Sequence, residues 1–550
     1  MAALSPWLRK GLCAGLLVLF GVAAVLLIVV LARTYSMKSP APSDIWARMG
    51  EPRIEANFTP LERQELKEAL KGAIRLQTVS FAPDDQNTTA LAEFEPYIRK
   101  VFPAVFSATF IQHEVIGEYS HLFTIQGSEP QLQPYMLLAH IDVVPASPLG
   151  WDVDDPFSAE ERDGFIYGRG TLDNKNSVIG ILQALEFLLR RKYRPRRSFY
   201  IGLGHDEEVG GGKGAAKIVA ELESRGVQLS FLLDEGSFIL DGIITGLKKP
   251  AAIIAVTEKG AVTAELSVTS APGHSSMPPK RTSIGILSEA LARLEQQPMP
   301  NLFGKGPEAL MLEQLAPDFN FPLNIVMANL WLFAPAVSSF LEQTPSTNAI
   351  VRTTTAITMF HGGIKSNVIP ASANATVNFR IHPAQTVDEV LEIVSKTIDD
   401  KRVTIEATSA FDPLPVSPWD DETFGVQIFR QTILNVFPDV GSVAPGVCVA
   451  NTDSIHFTNL TNATYRFNPV VFKPDDMPRL HGLNERISIE SFEKQVEFLF
   501  QLIQNSDIDP SQKPHENVHE LHQGTFCNRH SSSSKNNPGQ TLENRTSTYN

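Results

Sequence analysis

The chain has 550 residues, of which 43% are hydrophobic and 20% are charged, and its formal net charge is −14. A chain of this length and composition can bury a large core and is expected to fold into more than one domain. The acidic balance argues against nucleic-acid binding, and the three cysteines, Cys13, Cys448 and Cys527, do not make a disulfide framework.

The N-terminal segment at residues 11–32 is apolar and uncharged, with Arg9 and Lys10 before it and Arg33 after it. It exceeds the roughly 7–15 apolar residues of a cleaved signal peptide and is about long enough to span a bilayer. No clear small-x-small cleavage site follows it, which favours a signal-anchor over a signal peptide. Either segment directs the rest of the chain into the secretory pathway, where it is secreted or stays tethered. N-glycosylation sequons agree with that address and lie at Asn57, Asn87, Asn374, Asn459, Asn462 and Asn544.

Three short apolar runs are each followed by acidic or histidine side chains. The runs are too short for helices and are flanked by turn residues, so they predict buried strands of a parallel sheet. Open α/β sheets bind ligands at the carboxyl ends of their strands. The residues after the runs are therefore expected to share one site. The runs are residues 136–139 before His140, 199–203 before Glu207 and Glu208, and 231–233 before Asp234.

Asp142 and Asp173 add carboxylates around the first of these strand ends. Asp142 follows His140 by two residues, so both side chains face the same way and the carboxylate can orient the imidazole. Asp173 lies between a glycine-containing turn at residues 167–172 and a helical pattern, where one carboxylate can bridge two cations. Each residue alone has an ordinary explanation, such as a helix N-cap for Asp173. Together with His481 in a late loop, they indicate a two-metal hydrolase.

Four motifs, taken in chain order, resemble the zinc aminoacylase and carboxypeptidase family. They are Leu-Ala-His-Ile-Asp-Val-Val-Pro at residues 138–145, Tyr-Gly-Arg-Gly-Thr-Leu-Asp-Asn-Lys at 167–175, Asp-Glu-Glu at 206–208 and Gly-His-Ser-Ser at 273–276. The resemblance runs from about residue 61 to residue 505. It implies an α/β, zinc-exopeptidase-like catalytic domain with a parallel-rich sheet, interrupted by a ferredoxin-like α+β lid.

The resemblance also implies two Zn²⁺ ions per chain and a role for each site residue. Glu207 would be the general base, Asp142 would support a histidine ligand, and His274 of the lid would stabilise the oxyanion, in family dimers sometimes from the neighbouring subunit. Asn367 and Arg380 would hold substrate, with Arg380 suited to a carboxylate. The implied ligands are His140, Asp173 and Asp234 for one zinc and Asp173, Glu208 and His481 for the other.

The chain departs from the family pattern at two places. Ile455 stands where the family often has an arginine after Thr-Asp, so a second carboxylate-binding arginine is missing and substrate affinity or choice is affected. Asn174 stands where many relatives have an aspartate, which changes local charge but removes no metal ligand. His205, beside Asp206, has no partner in the strand pattern, and a structural role is favoured for it.

The catalytic domain is predicted in two parts, at residues 61–258 and 412–505, because His481 must complete a site begun at His140. The lid, at residues 259–411, has the order β-α-β-β-α-β, which is typical of a ferredoxin-like sandwich. Thr386 and Glu389 form a capping-box signature for its second helix. An apolar insertion at residues 302–341 has two compatible interpretations. It can be a helical hairpin that packs on the lid sheet, and part of it, around residues 330–333, can line a channel for an acyl chain. The tail at residues 506–550 has the composition of a disordered segment.

The sequence thus predicts a secretory-pathway zinc amidohydrolase. The resemblance implies that it cleaves N-acyl amino acids with a long acyl chain to a fatty acid and an amino acid, and mass action allows the reverse condensation. Membrane or lipid-particle association and a homodimer are compatible with this interpretation. The alternatives are a zinc carboxypeptidase or dipeptidase with the same metals, and a non-catalytic, membrane-tethered binding protein.

Overall fold

The computed structural model describes residues 6–37 and 53–509. Of the predicted disordered tail at residues 506–550, the part from residue 510 onward, with Cys527 and the Asn544 sequon, lies outside the described residues. The prediction is wrong at its start, because Ser506, Asp507 and Ile508 are buried and Arg197 donates to the carbonyl oxygen of Ser506. The α-helices are α1 (Pro6–Ser36), α2 (Pro60–Arg75), α3 (Thr88–Val101), α4 (Pro103–Ser107), α5 (Lys175–Arg190), α6 (Ala215–Ser224), α7 (Ser283–Gln296), α8 (Glu308–Leu315), α9 (Leu323–Ala328), α10 (Leu330–Leu341), α11 (Pro345–Val351), α12 (Val387–Ile398), α13 (Phe424–Val436) and α14 (Ile489–Asn505).

The strands form one large sheet, one four-stranded sheet and three small ones. They are β1 (Ser80–Ala82), β2 (Asp85–Gln86), β3 (Ile111–Ile116), β4 (Ser120–Ile125), β5 (Tyr135–His140), β6 (Glu161–Arg162), β7 (Phe165–Tyr167), β8 (Phe199–Gly204), β9 (Leu232–Leu240), β10 (Ala251–Glu258), β11 (Gly260–Thr269), β12 (Gly273–His274), β13 (Thr354–Gly362), β14 (Val368–Ile369), β15 (Ser372–Ile381), β16 (Thr404–Phe411), β17 (Ser442–Cys448), β18 (Thr464–Phe472) and β19 (Arg486–Ser488).

The large sheet has eight strands in the order β17-β10-β18-β9-β5-β8-β4-β3. Its centre is parallel, since β5 pairs in parallel with both β8 and β9, and β18 pairs in parallel with β9. All six residues of β5 are buried, and the ring of Tyr135 stacks between Phe199 and Phe231 at 5.0 Å from each. The short apolar runs are therefore central strands covered on both faces, and the predicted α/β fold with a parallel-rich sheet is confirmed.

The four-stranded sheet is antiparallel, with the order β13-β15-β11-β16. Helices α7 and α12 pack on it through a core separate from that of the large sheet. Helix α12 begins with the capping box in which Thr386 and Glu389 bond each other's backbone N–H groups. The chain crosses from the large sheet into this one between Glu258 and Gly260 and contributes β17 and β18 to the large sheet afterwards. We interpret the two sheets as the catalytic domain and its lid.

The apolar insertion packs elsewhere than expected. It folds into α8, α9 and α10, and Leu312, Leu315 and Phe319 share a core with Ala251 and Ala444, on β10 and β17. The prediction that it packs on the lid sheet is therefore wrong. The apolar pattern predicted burial correctly, but the sequence does not say which of two sheets offers the matching surface; here it is the edge of the large sheet.

Candidate active site

The predicted ligands meet where the central parallel strands end. His140 is the last residue of β5, and the neighbouring strand β8 ends at Gly204, just before a 3₁₀ turn that carries Glu207 and Glu208. Because parallel strands end at the same edge of a sheet, these side chains come together there. Asp173, two residues before the start of α5, joins them from the preceding turn.

Asp173 stands between two groups of donors. Its Oδ1 lies 3.0 Å from His140 Nε2, while its Oδ2 lies 3.0 Å from Nε2 of His481. Glu235 completes the first group, with Oε1 3.0 Å from His140 Nε2, and Glu208 completes the second, with Oε2 3.3 Å from His481 Nε2. Two sets of three ligand atoms, each set lying within 4.8 Å, thus share one carboxylate. That is the arrangement a bridging ligand of two cations requires.

The electrostatics of this cluster also suit cations. Burial and, to a smaller extent, the nearby Asp173 carboxylate together raise the pKa of Glu235 to about 8. Burial likewise raises the pKa of Glu207 and of Glu208. Several carboxylates held together out of water are costly unless positive charge compensates them. Histidine and carboxylate donors are ligands that Zn²⁺ accepts, so the residues present fit the metal that the sequence implied.

Asp142 holds both His140 and the turn that carries Glu207 and Glu208 in place. It is fully buried, and its Oδ1 lies 3.3 Å from Nδ1 of His140. The same carboxylate accepts the backbone N–H groups of Glu207 and Glu208 and the hydroxyl of Ser80, at 3.1, 3.3 and 2.7 Å. One side chain therefore orients a ligand histidine and anchors the turn that presents the two glutamates.

Asp234 does not face the cluster. Its Oδ1 accepts the backbone N–H of Glu235 at 2.9 Å, and its Oδ2 accepts that of Ser454 at 3.0 Å. Adjacent residues of a strand point to opposite faces, so only one of these two acids can reach His140, and here it is Glu235. Sequence reasoning missed Glu235. The signal available was that it directly follows Asp234, but spacing alone cannot say which of two consecutive acids points inward.

Behind Asp234 lies a buried polar network that fixes the loop after β17. The guanidinium of Arg466 donates to Glu258 at 2.5 Å, and the same carboxylate accepts the hydroxyls of Thr452 and Ser454. Ser454 in turn donates its N–H to Asp234. The ion pair is almost entirely shielded from solvent, so loss of either partner would leave an uncompensated buried charge. The network holds the Thr-Asp motif against the site.

Asp453, in the same motif, is a further residue that sequence reasoning did not single out as functional. It is buried, and burial raises the pKa of its carboxyl well above the usual range, with Asp234 adding to the shift. Ile455, two residues after Asp453, carries no positive charge that could compensate a negative charge on this buried carboxylate. His456 directs Nε2 to the carbonyl oxygen of Gly210, 3.0 Å away.

The predicted lid residues lie on the smaller sheets. Arg380 of β15 donates to Asn451 Oδ1 at 2.6 Å, and Asn451 donates to the carbonyl oxygen of Lys259, so Arg380 is held against the loop beside the site. His274 is exposed, with Nδ1 2.7 Å from the hydroxyl of Ser276. Asn367 is also exposed, and its carbonyl oxygen accepts the N–H of Ser275. Neither His274 nor Asn367 is part of the ligand cluster.

Two other predictions can be located. His205 is buried, with Nδ1 2.6 Å from the hydroxyl of Ser120, and it belongs to none of the ligand groups, as its favoured structural role requires. The predicted acyl-channel segment has one buried and two partly exposed large apolar residues, and whether it lines a channel stays a prediction. Leu330 is buried in the core of the insertion, whereas Trp331 and Leu332 are 51% and 41% exposed. A helix packs one face on the core and turns the other to the surroundings. When the helix is apolar on all sides, its sequence does not show which face is buried.

Comparison with known proteins agrees with this geometry. Residues 136–505 match the model of peptidase family M20/M25/M40. The chain is 61% identical to the N-fatty-acyl-amino acid synthase/hydrolase of Xenopus tropicalis over 94% of this chain and 100% of that protein, and 59% identical to that of Homo sapiens over 85% and 93%. The structure of human carnosine dipeptidase 1 has a similar fold, with a TM-score of 0.58, 15% identity and coverage of 85% of this chain and 100% of that one. The chain therefore belongs to peptidase family M20/M25/M40 and is a hydrolytic enzyme.

Proposed function

We propose that the protein is a dinuclear zinc amidohydrolase that cleaves N-fatty-acyl amino acids into a fatty acid and an amino acid. The observation that carries the proposal is Asp173, whose two carboxylate oxygens each lie 3.0 Å from a different histidine. The high identity to N-fatty-acyl-amino acid synthase/hydrolases over most of the chain supports the substrate class.

His140, Asp173 and Glu235 would hold one zinc, and Asp173, Glu208 and His481 the other. This assignment replaces the expected ligand Asp234 by Glu235, because the carboxylate of Asp234 already accepts two backbone N–H groups. When bound, zinc polarises the amide carbonyl and lowers the pKa of water toward about 7.

Glu207 is the proposed proton carrier. It is largely shielded from solvent, and its Oε2 lies 3.9 Å from His140 Nε2. Its carboxylate also forms a third set of close donor atoms with His140 and Glu208, which places it beside both proposed zinc sites. Burial raises its pKa, which makes the carboxylate a stronger base than an exposed glutamate. Glu207 would take a proton from the attacking water and deliver it to the leaving nitrogen. The new C–O bond forms first and leaves an oxyanion on the former carbonyl oxygen. The C–N bond then breaks as the nitrogen receives the proton, and the products are a carboxylate and an amine.

Substrate binding is assigned to the lid. Arg380 is held by Asn451 next to the site, and its planar guanidinium matches the carboxylate of an amino-acid head group. His274 would stabilise the oxyanion, and its exposed position agrees with delivery by closure of the lid or by a neighbouring subunit. Asn367 would add a polar contact to the substrate. The reverse condensation uses the same groups, since a catalyst accelerates both directions.

A peptidase is the second candidate, because the family to which the chain belongs is named for peptidases. Both candidates use the same metals and base, so substrate comparison distinguishes them. Hydrolysis of oleoyl amino acids should be more efficient than hydrolysis of acetyl amino acids or dipeptides. Higher kcat/KM for dipeptides than for oleoyl amino acids would favour the peptidase.

The proposed location is the secretory pathway. Helix α1 contains a 23-residue apolar span, Ala14–Ser36, and the sequon residues Asn57, Asn87, Asn459 and Asn462 are exposed. Glycosidase treatment of protein made in animal cells should therefore increase its electrophoretic mobility. An unglycosylated protein in the cytosol would contradict this location.

A further inference from the structure

The insertion presents an apolar face to the surroundings. Helix α10 has no charged residue along its 12-residue sequence, and three of its large apolar side chains, Trp331, Leu332 and Phe340, are 51%, 41% and 61% exposed. Phe321, just before α9, is 76% exposed. We call these four residues the insertion face. Four large apolar side chains exposed within 20 residues of one charge-free segment are more than the single exposed apolar residues of an ordinary surface, and indicate an interaction surface.

The end of the N-terminal helix is bonded directly to the insertion beside this face. Arg33 donates its Nε–H to the carbonyl oxygen of Ala328 at 2.7 Å. The side-chain amide of Asn329 donates to Thr34 Oγ1 at 3.0 Å and to the carbonyl oxygen of Val30. The same Asn329 accepts the indole N–H of Trp331 at 3.1 Å. The side chain of Asn329 therefore links Trp331 to α1 through hydrogen bonds on both sides.

These contacts fix the height of the insertion face relative to a bilayer. The uncharged run at residues 11–32 would span about 33 Å as a helix, close to the roughly 30 Å of a hydrocarbon core. Its charged boundary is Arg33, so a spanning α1 places Arg33 and Thr34 at the membrane–water interface. The residues bonded to them lie at the same height. Tryptophan with a polar N–H and an apolar ring is favoured at that depth.

We propose that α1 is retained as a signal-anchor and that the insertion face rests on the outer leaflet of the bilayer that α1 spans. Helix α10 then lies in the plane of the interface. At about 18 Å it is too short to cross a bilayer, and it has an apolar outer side as interfacial helices do. A bilayer is favoured over a protein partner because the face adjoins the point where the spanning helix leaves the body.

The exposed stripe of α10 supports this orientation. Leu332, Ala336 and Phe340 follow one another at spacings of four residues and are all exposed, while Leu330 and Val337 on the opposite side are buried in the core of the insertion. One side of the helix is therefore committed to the protein and the other is available to lipid. The inference does not depend on the proposed substrate, because it rests only on the insertion and α1.

The test uses the full-length protein in phosphatidylcholine vesicles that contain phospholipid brominated near the headgroup end of its acyl chains. The tryptophan emission lost in Trp331→Phe relative to wild type should be strongly quenched by the brominated lipid and weakly by iodide in the buffer. The matched control is Trp151→Phe, since the Trp151 ring packs over Arg169, distant in sequence from the insertion. The emission it removes should show no lipid quenching.

A second reporter guards against a local effect of the first substitution. Adding Phe340→Trp to the Trp331→Phe background should restore emission that brominated lipid quenches. Quenching of these residues by iodide instead of lipid would overturn the proposal, as would protection from both, which would mean that protein covers the face. An N-terminus of the purified protein beginning after Arg33, measured by mass spectrometry, would also overturn it.

Discussion

Exchange of Glu235 tests the metal assignment most directly. In the structure, Glu235 contributes one of three donors to its group, with Oε1 3.0 Å from His140 Nε2, whereas both oxygens of Asp234 accept backbone N–H groups. A structural zinc site of four ligands is worth about 10–16 kcal/mol, or about 3 kcal/mol per ligand. Glu235→Gln should therefore weaken one zinc by more than about 100-fold.

Asp234→Asn should cost less. It disturbs an outer contact that positions Glu235 and Ser454, and such outer contacts change metal affinity by about 10–100-fold. Zinc per chain should be measured by mass spectrometry after dialysis against a graded chelator. Glu235→Gln is expected to keep one ion, at Asp173, Glu208 and His481, under conditions where wild type and Asp234→Asn keep two.

The control for this comparison is Asp241→Asn, just beyond the end of the same strand and without a place in the cluster. It should bind two zincs with unchanged affinity. If Asp234→Asn lost an ion while Glu235→Gln retained both, Asp234 would be the ligand and the inward orientation of Glu235 would be incorrect. Circular dichroism of each variant separates metal loss from unfolding.

Further predictions concern the base, the lid and the pH dependence of stability. Glu207→Gln should retain its zinc and lose turnover by at least about 100-fold, because it removes the proton carrier but no assigned ligand; near-normal kcat with confirmed metal content would exclude the role. Arg380→Ala should raise KM far more for acyl amino acids than for their amides, whereas an equal effect on both would argue against a carboxylate contact. Burial lowers the pKa of His121 to about 3, below an unfolded value of about 6.5. Its stabilising contribution is therefore present above pH 6.5 and falls with pH, by about 2 kcal/mol at pH 5. The thermal midpoint of His121→Phe should consequently fall less between pH 7.5 and 5 than that of wild type, and identical shifts would show that His121 is not responsible.

The sequence predicted those parts of the fold in which a local sequence pattern allows only one local structure. Buried strands at β5 and β8 follow from short apolar runs between turns, and the capping box at Thr386 follows from local hydrogen bonding. The clustering of His140 with Glu207 and Glu208 follows from the parallel strands β5 and β8 ending at one edge. These predictions needed no knowledge of long-range packing.

The places where the structure departs from the sequence-based expectation have a common physical cause. Which of Asp234 and Glu235 faces inward depends on the twist and register of β9, and one residue of difference reverses the face. The insertion was assigned to the lid sheet because its sequence lies within the lid, yet its apolar side matches β10 and β17. Local sequence specifies that a side chain is to be buried; the partner surface is chosen by the whole fold.

The position of the insertion changes how the expected dependence of activity on acyl-chain length should be interpreted. A pocket that buries each added methylene would raise kcat/KM by the transfer free energy of about 0.8 kcal/mol, about 4-fold per methylene, until the pocket is full. A face resting on a bilayer adds a second effect, because long-chain substrates partition into the same membrane and their local concentration rises. The two contributions separate when activity is compared between vesicles and lipid-free buffer at substrate concentrations below aggregation. A chain-length dependence of kcat/KM that persists in lipid-free buffer arises from the protein. The part that appears only with vesicles arises from the membrane. This second part should fall in the double variant Leu332→Ser, Phe340→Ser, which makes the insertion face polar. If the vesicle-dependent part were unchanged in that double variant, α1 alone would account for delivery and the insertion face would have no part in it.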